Sequence, residues 1–67
     1  MATNETFNRL MDAAGAAGAD QDLLADAEWR YQGLNTQARD WVVAFYSRQN
    51  WGDAQKGQEL AQYLYNL

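Results

Sequence analysis

The stretch that decides the fold class is Asp20-Gln-Asp-Leu-Leu-Ala-Asp-Ala-Glu-Trp-Arg-Tyr-Gln-Gly-Leu34. Asp20 is a residue type that caps a helix N-terminus, and Asp22 in the first turn favours the positive end of the helix dipole. With about 100° of rotation per residue, the apolar side chains fall on one core-facing side: Leu23, Leu24, Ala27, Tyr31 and Leu34. Because Gly33 is typical of a helix end, we predict a helix over residues 20–32.

A first helix, predicted over residues 4–14, precedes this stretch. Thr3 or Asn4 is expected to cap it, and its core stripe has helical spacing: Phe7, Leu10, Met11 and Ala14. Residues 13–19 read Ala-Ala-Gly-Ala-Ala-Gly-Ala. We interpret this tract as a flexible connection after a helix end at Gly15, and the alternative is a small-residue surface that another helix approaches closely.

Two further helices follow, and no proline occurs anywhere in the chain. The third is predicted over residues 36–49, capped by Asn35 or Thr36, with a primary core stripe of Ala38, Trp41, Val42 and Phe45. The fourth is predicted over residues 53–66, capped by Asp53, with a stripe of Leu60, Ala61, Leu64 and Leu67. Tyr63 and Tyr65 flank that last stripe and are expected to border the core.

The length of 67 residues allows one core. Short connections favour consecutive helices that pack against each other, so we predict a single all-α domain over residues 1–67, a compact bundle of about four short helices. The sequence contains neither cysteine nor histidine, so we expect no disulfide and no metal. Because small domains without such cross-links are marginally stable, self-association is expected.

The same two missing residue types argue against catalysis. They remove the Ser-His and Cys-His nucleophile systems, the usual zinc ligands and the commonest general base. Ser47 is the only serine and Lys56 the only lysine, and they fall on different predicted elements. The sequence therefore favours a protein that is not an enzyme and that needs no cofactor.

Two motif interpretations fail on particular residues. Asp20, Asp22 and Asp26 fit the first positions of a calcium-binding loop, but Ala25 stands where that loop needs glycine, and Tyr31 stands where it needs glutamate. The second and third helices, joined at Gly33, resemble a helix-turn-helix motif in layout. Its recognition helix would be largely apolar, which disfavours DNA binding.

Charge is unevenly distributed along the chain. Residues 1–35 hold six acidic and two basic residues, whereas residues 36–67 hold three of each, so the formal net charge of −4 belongs to the first half. Five scattered basic residues do not form the stripe that phosphate binding requires, so direct nucleic-acid binding is disfavoured. The sequence offers neither a signal peptide nor a membrane-spanning run, and we expect a cytoplasmic protein without membrane contact.

Surplus apolar surface indicates a protein partner. Trp29 lies nearly opposite the core face of its helix, beside acidic residues that could steer a basic partner: Asp22, Asp26 and Glu28. Val43 and Tyr46 exceed what a one-sided third helix requires, and Trp51 in a predicted turn is a further candidate anchor. We predict that these residues bind another protein, or a second copy of the chain.

The leading hypothesis is therefore a non-catalytic protein-interaction module: an adaptor, an assembly subunit or a small inhibitor of a larger machine, such as mobile elements encode. One alternative is an acidic decoy that offers carboxylates to a DNA- or RNA-binding protein in place of phosphates. Another is a helical oligomer with a small-ligand pocket built from Trp41, Tyr46 and Tyr63.

Overall fold

Four helices form the chain in a computed structural model that describes residues 2–67. Their bounds are α1 (Ala2–Ala16), α2 (Gln21–Gln32), α3 (Thr36–Ser47) and α4 (Asp53–Tyr65). Within residues 2–67 there is no strand. The prediction of an all-α bundle of four short helices is confirmed, and α4 lies at its centre, in contact with α1, α2 and α3.

Two of the predicted caps are present. The Asp20 carboxylate accepts a hydrogen bond from the backbone N–H of Asp22 at 2.8 Å, and the Asn35 side chain accepts one from Ala38 N–H at 2.8 Å. Each satisfies a backbone donor that has no partner inside its own helix. The starts of α2 and α3 were therefore correctly predicted.

The other two predicted caps are wrong. Helix α1 already includes Thr3 and Asn4. Their side chains bond to other helices instead of capping α1: Thr3 Oγ1 donates to Asp40 at 2.7 Å, and Asn4 Oδ1 accepts from Tyr31 Oη at 2.6 Å. Helix α4 is preceded by Gly52, which offers no side-chain cap. Asp53 is its first residue, and the carboxylate lies 3.7 Å from the Arg9 guanidinium.

The tract at residues 13–19 is not a flexible connection. Helix α1 continues through Gly15 to Ala16, and it ends in a turn where Gly18 has a φ of 96°. The Gly18 N–H donates to Gly15 O at 3.1 Å, and the Ala19 N–H donates to Ala14 O at 3.0 Å. These paired bonds, with glycine in the left-handed conformation, are a common helix end. Ala14 is fully buried, as the small-residue alternative anticipated.

Three helices bury the faces that were predicted for them. The buried side chains of α1, α2 and α4 are Phe7, Leu10, Met11, Ala14, Leu24, Ala27, Tyr31, Leu60, Ala61 and Leu64. Leu23 and Leu34 pack against this core while remaining partly exposed. Leu67 is 61% exposed, contrary to prediction, because α4 ends at Tyr65 and the last residues no longer follow the helical stripe.

Helix α3 is rotated relative to the prediction. Val42 and Val43 are its buried residues, whereas Trp41 is 56% and Phe45 37% exposed. The two short valine side chains pack on the side of α3 that faces α1 and α4, and the larger rings remain on the outer side. Placing Trp41 and Phe45 in the core was therefore wrong, and so was leaving Val43 outside it.

The closest helix contact joins α1 to α4 at Gly57. A Cβ atom at this position would lie 2.0 Å from the Leu10 carbonyl oxygen and 3.1 Å from the Ala14 Cβ. Leu10, Ala14 and Gly57 are all buried there. Glycine is therefore required at position 57, because any side chain would push the two backbones apart.

A second set of contacts fixes α2 against α1 and α3. The Tyr31 ring stacks on Phe7 with centroids 3.8 Å apart. The Arg39 guanidinium donates to the carbonyl oxygens of Tyr31 at 3.1 Å and Gln32 at 2.7 Å. Carbonyl groups at the end of a helix lack partners within it, so Arg39, in the first turns of α3, satisfies two carbonyl groups at the end of α2.

Replacing Gly57 by alanine tests the α1–α4 contact. We expect Gly57→Ala to lower the free energy of unfolding by roughly 1–3 kcal/mol, measured by urea denaturation with circular dichroism. The gain of about 1 kcal/mol in helix propensity is smaller than the cost of separating the two backbones.

Gly15→Ala is the matched control. Its Cβ would lie 3.5 Å from the Leu24 side chain, an ordinary contact in a helix, so we expect it to stabilise the protein by about 0.5–1 kcal/mol. Effects of the same sign and size at the two glycines would contradict the close contact.

Candidate functional site

Trp29 is the most exposed large apolar side chain on the described part of the chain, with 74% of its surface accessible. It lies on the outer side of α2, as predicted. Trp29 borders a shallow groove of about 460 Å³. The groove is lined by Trp29, Arg30, Gln32, Gly33, Leu34 and Leu67. The exposed Leu67 and the half-buried Leu34 give this Trp29 groove apolar surface beside the indole.

The three acidic residues predicted beside Trp29 are in different surroundings. Glu28 is exposed and borders a second depression that Trp29 also lines. The Asp26 carboxylate accepts a hydrogen bond from Arg30 Nε at 2.7 Å, so its charge is already paired. Asp22 lines a separate depression with Leu23 and Tyr65. Of the three, the structure brings only Glu28 next to Trp29 with an unpaired charge.

Arg30 connects the Trp29 groove to the end of the chain. Besides its ion pair with Asp26, its guanidinium lies 5.9 Å from the centroid of the Tyr65 ring and donates to the Leu67 carbonyl at 3.3 Å. These contacts hold the segment after α4 beside α2. The groove is thus built from α2, the residues that follow it and the last residue after α4, and Arg30 contacts both sides.

A second exposed apolar surface lies across α3 and α4. Four rings form this aromatic patch: Trp41, Phe45, Tyr46 and Tyr63. Trp41 stacks on Phe45 with centroids 5.7 Å apart, and Tyr63 lies 6.3 Å from Trp41 and 6.0 Å from Tyr46. Contacts at this range orient each ring, so the patch presents a preformed surface.

The aromatic patch corrects where the surplus apolar surface of α3 lies. Val43 was predicted to contribute to it, but Val43 is buried and unavailable to a partner. Tyr46 is half-buried at the inner edge of the patch, and Trp41 and Phe45 supply the exposed area instead. The sequence signal for the observed orientation of α3 was its pair of adjacent valines, whose short side chains suit the core. The rings proposed as a ligand pocket, Trp41, Tyr46 and Tyr63, do lie together.

Trp51 lies in the turn between α3 and α4, with about a third of its surface exposed. It takes part in none of the ring contacts of the aromatic patch, and it does not line the Trp29 groove. Trp51 is therefore part of neither the Trp29 groove nor the ring contacts that define the aromatic patch.

Burial raises the pKa of two tyrosines above the ordinary value of 10.0. For Tyr46 the main cause is desolvation, and the nearby Glu59 and Tyr63 raise the pKa further. For Tyr31 desolvation again dominates and Asp40 adds to it, while the Arg39 guanidinium acts in the opposite direction. Both hydroxyls therefore stay neutral in the folded protein at pH values where an exposed tyrosine ionises.

Within residues 2–67, no three His, Cys, Asp or Glu side chains are grouped to hold a metal ion. None of the four helices has the length and apolar character needed to cross a membrane. Comparisons with protein-family models, with curated proteins and with solved structures found no significant match. The surfaces themselves are therefore the basis for a functional proposal.

Tyr46 gives a pH test of the patch geometry. Its pKa is higher in the folded than in the unfolded protein, so the unfolded state releases its proton first and stability falls as pH rises above about 10. We expect Tyr46→Phe to make this alkaline decline in the free energy of unfolding shallower, with stability at neutral pH changed by less than about 1 kcal/mol.

The measurement is a series of urea denaturations between neutral and alkaline pH. Glu59→Gln should also make the decline shallower, because it removes a negative charge that raises the pKa of Tyr46. Parallel curves for the wild type and both variants would contradict the burial of Tyr46 beside Glu59.

Proposed function

We propose that the chain is a non-catalytic protein-interaction module that binds another protein at the Trp29 groove. The observation that carries the proposal is the exposure of Trp29, 74% of whose surface lies open on a rigid helix. A tryptophan in water is costly for solubility, and it is the residue most enriched at the energetic centres of protein interfaces. Adjoining apolar surface from Leu34 and Leu67 would extend such a contact.

The chemistry of the groove favours a basic segment with an apolar anchor. Residues 1–35, which include the whole of α2, carry six acidic and two basic residues. The net negative charge of this half of the chain would speed the encounter with a positively charged partner, and the indole would supply most of the affinity. Glu28, exposed beside Trp29, is the carboxylate best placed to meet a lysine or arginine.

Such a module would serve as an adaptor, as an assembly subunit or as a small inhibitor of a larger machine. We place this role in the cytoplasm, where a chain free of cysteine would be unaffected by the reducing conditions. The acidic-decoy alternative receives less support, because the pairing of Asp26 with Arg30 removes one carboxylate from the predicted row.

The experiment is quantitative affinity capture from the native host with the full chain as bait. We expect Trp29→Ala to reduce the captured partner at least tenfold, since loss of a central aromatic contact costs about 2 kcal/mol or more. Trp51→Ala is the matched control: it removes another exposed tryptophan, outside the groove, and should capture the partner as the wild type does.

Salt distinguishes this proposal from a decoy. Binding anchored by Trp29 should persist at high ionic strength and weaken only modestly in Glu28→Gln, whereas a decoy should lose its partner steeply with salt. The proposal fails if Trp29→Ala, verified as folded by circular dichroism, captures the same proteins in the same amounts as the wild type.

A further inference from the structure

The aromatic patch on α3 and α4 is a second exposed apolar surface, separate from the Trp29 groove. We propose that it binds a second copy of this chain through a twofold axis, giving a homodimer in which both Trp29 grooves remain free. This goes beyond the proposed function, which concerns a different surface and a different partner.

The exposed rings provide the apolar centre of such an interface. Trp41 is 56% exposed, and Phe45 and Tyr63 are each exposed by more than a third. Because the rings already contact one another, little side-chain freedom would be lost on association. A surface of aromatic faces and edges is also self-complementary, since the rings of one copy can pack against those of the other.

Charge selects a second copy over a basic partner at this surface. Helices α3 and α4 lie within residues 36–67, which contain three acidic and three basic residues and are formally neutral. Two copies that meet here would join helices from the formally neutral half of the chain. A contact between two Trp29 grooves would instead bring together the halves that carry the whole net charge of −4.

Two charged residues at the edge of the patch fit a twofold pairing. Arg48 is the residue directly after α3, at helical spacing from Trp41 and Phe45, and Glu59 precedes Tyr63 by one turn on α4. Among residues 2–67, neither side chain forms an ion pair within 4.0 Å. In a twofold dimer, Arg48 of each copy can approach Glu59 of the other, so the pair occurs twice.

The area that such a dimer would bury can be compared with the accessible surface of one chain. A standard interface of roughly 800 Å² per partner would cover about a fifth of the 4272 Å² accessible surface of one chain. Interfaces of this size bind with dissociation constants from about micromolar to picomolar, and we expect the micromolar end of that range because the aromatic patch is only the centre of such an area.

The first experiment is sedimentation velocity of the full chain over a concentration series through the micromolar range. We expect the mass to rise from 7.6 kDa to twice that value, and we expect Trp41→Ala to weaken dimerisation at least tenfold. Trp29→Ala is the matched control and should dimerise like the wild type, which separates this proposal from the one for the Trp29 groove.

The second experiment uses charge reversal and leaves the aromatic rings intact. Arg48→Glu and Glu59→Arg should each weaken self-association about tenfold, because each opposes like charges twice across the axis. An equimolar mixture of the two variants should associate like the wild type, since opposite charges then face each other at both positions. Circular dichroism verifies that each variant is folded.

Three outcomes would overturn the proposal. The first is a wild-type chain that stays monomeric up to millimolar concentration. The second is a dimer that Trp41→Ala leaves unchanged or that Trp29→Ala abolishes. The third is a mixture of Arg48→Glu and Glu59→Arg that associates no better than either variant alone. None of these three results would change the outcome expected from the capture experiment with Trp29→Ala.

Discussion

The close contact between α1 and α4 at Gly57 is the constraint on which the bundle depends. Without a side chain at this position, the Leu10 backbone comes near enough that Leu10, Leu60 and Ala61 lose all contact with water. Helix α4 then lies at the centre of the fold, and α2 and α3 pack against it. A chain of 67 residues has a small core, and the close approach of these two helices helps to fill it without voids.

This narrow core explains why so many rings lie outside it. Of the nine aromatic side chains, only Phe7 and Tyr31 are buried, and they fit because they stack face to face. The remaining core consists of leucine, valine, alanine, methionine and glycine. The exposure of the other rings therefore follows partly from the packing of the core. Partner binding would explain why these positions hold aromatic rather than polar residues.

The sequence predicted the faces of α1, α2 and α4 because each has one apolar stripe that admits one orientation. Helix α3 has apolar residues on two adjoining faces, and periodicity alone cannot choose between Trp41 with Phe45 and Val42 with Val43. That choice depends on how α3 packs against α1 and α4, which the periodicity of α3 itself does not contain. The exposure of Trp29 was predictable from its own helix, and the proximity of Trp41, Tyr46 and Tyr63 was anticipated as a ligand pocket. The exposure of Trp41 and Phe45 was not predicted.

The two surfaces are held in a fixed relation by α4, which contacts both α2 and α3, and by the Arg39 side chain of α3. Arg39 donates to the last carbonyls of α2, and its guanidinium lies 5.3 Å from the centroid of the Tyr31 ring, which itself stacks on Phe7. A rigid link of this kind matters for an interaction module, because two binding surfaces act together only if their geometry allows simultaneous engagement. The partition of charge adds a second distinction, since the Trp29 groove belongs to the acidic half of the chain and the aromatic patch to the neutral half. Different charge on two fixed surfaces favours different partners on each, which is the property that an adaptor requires.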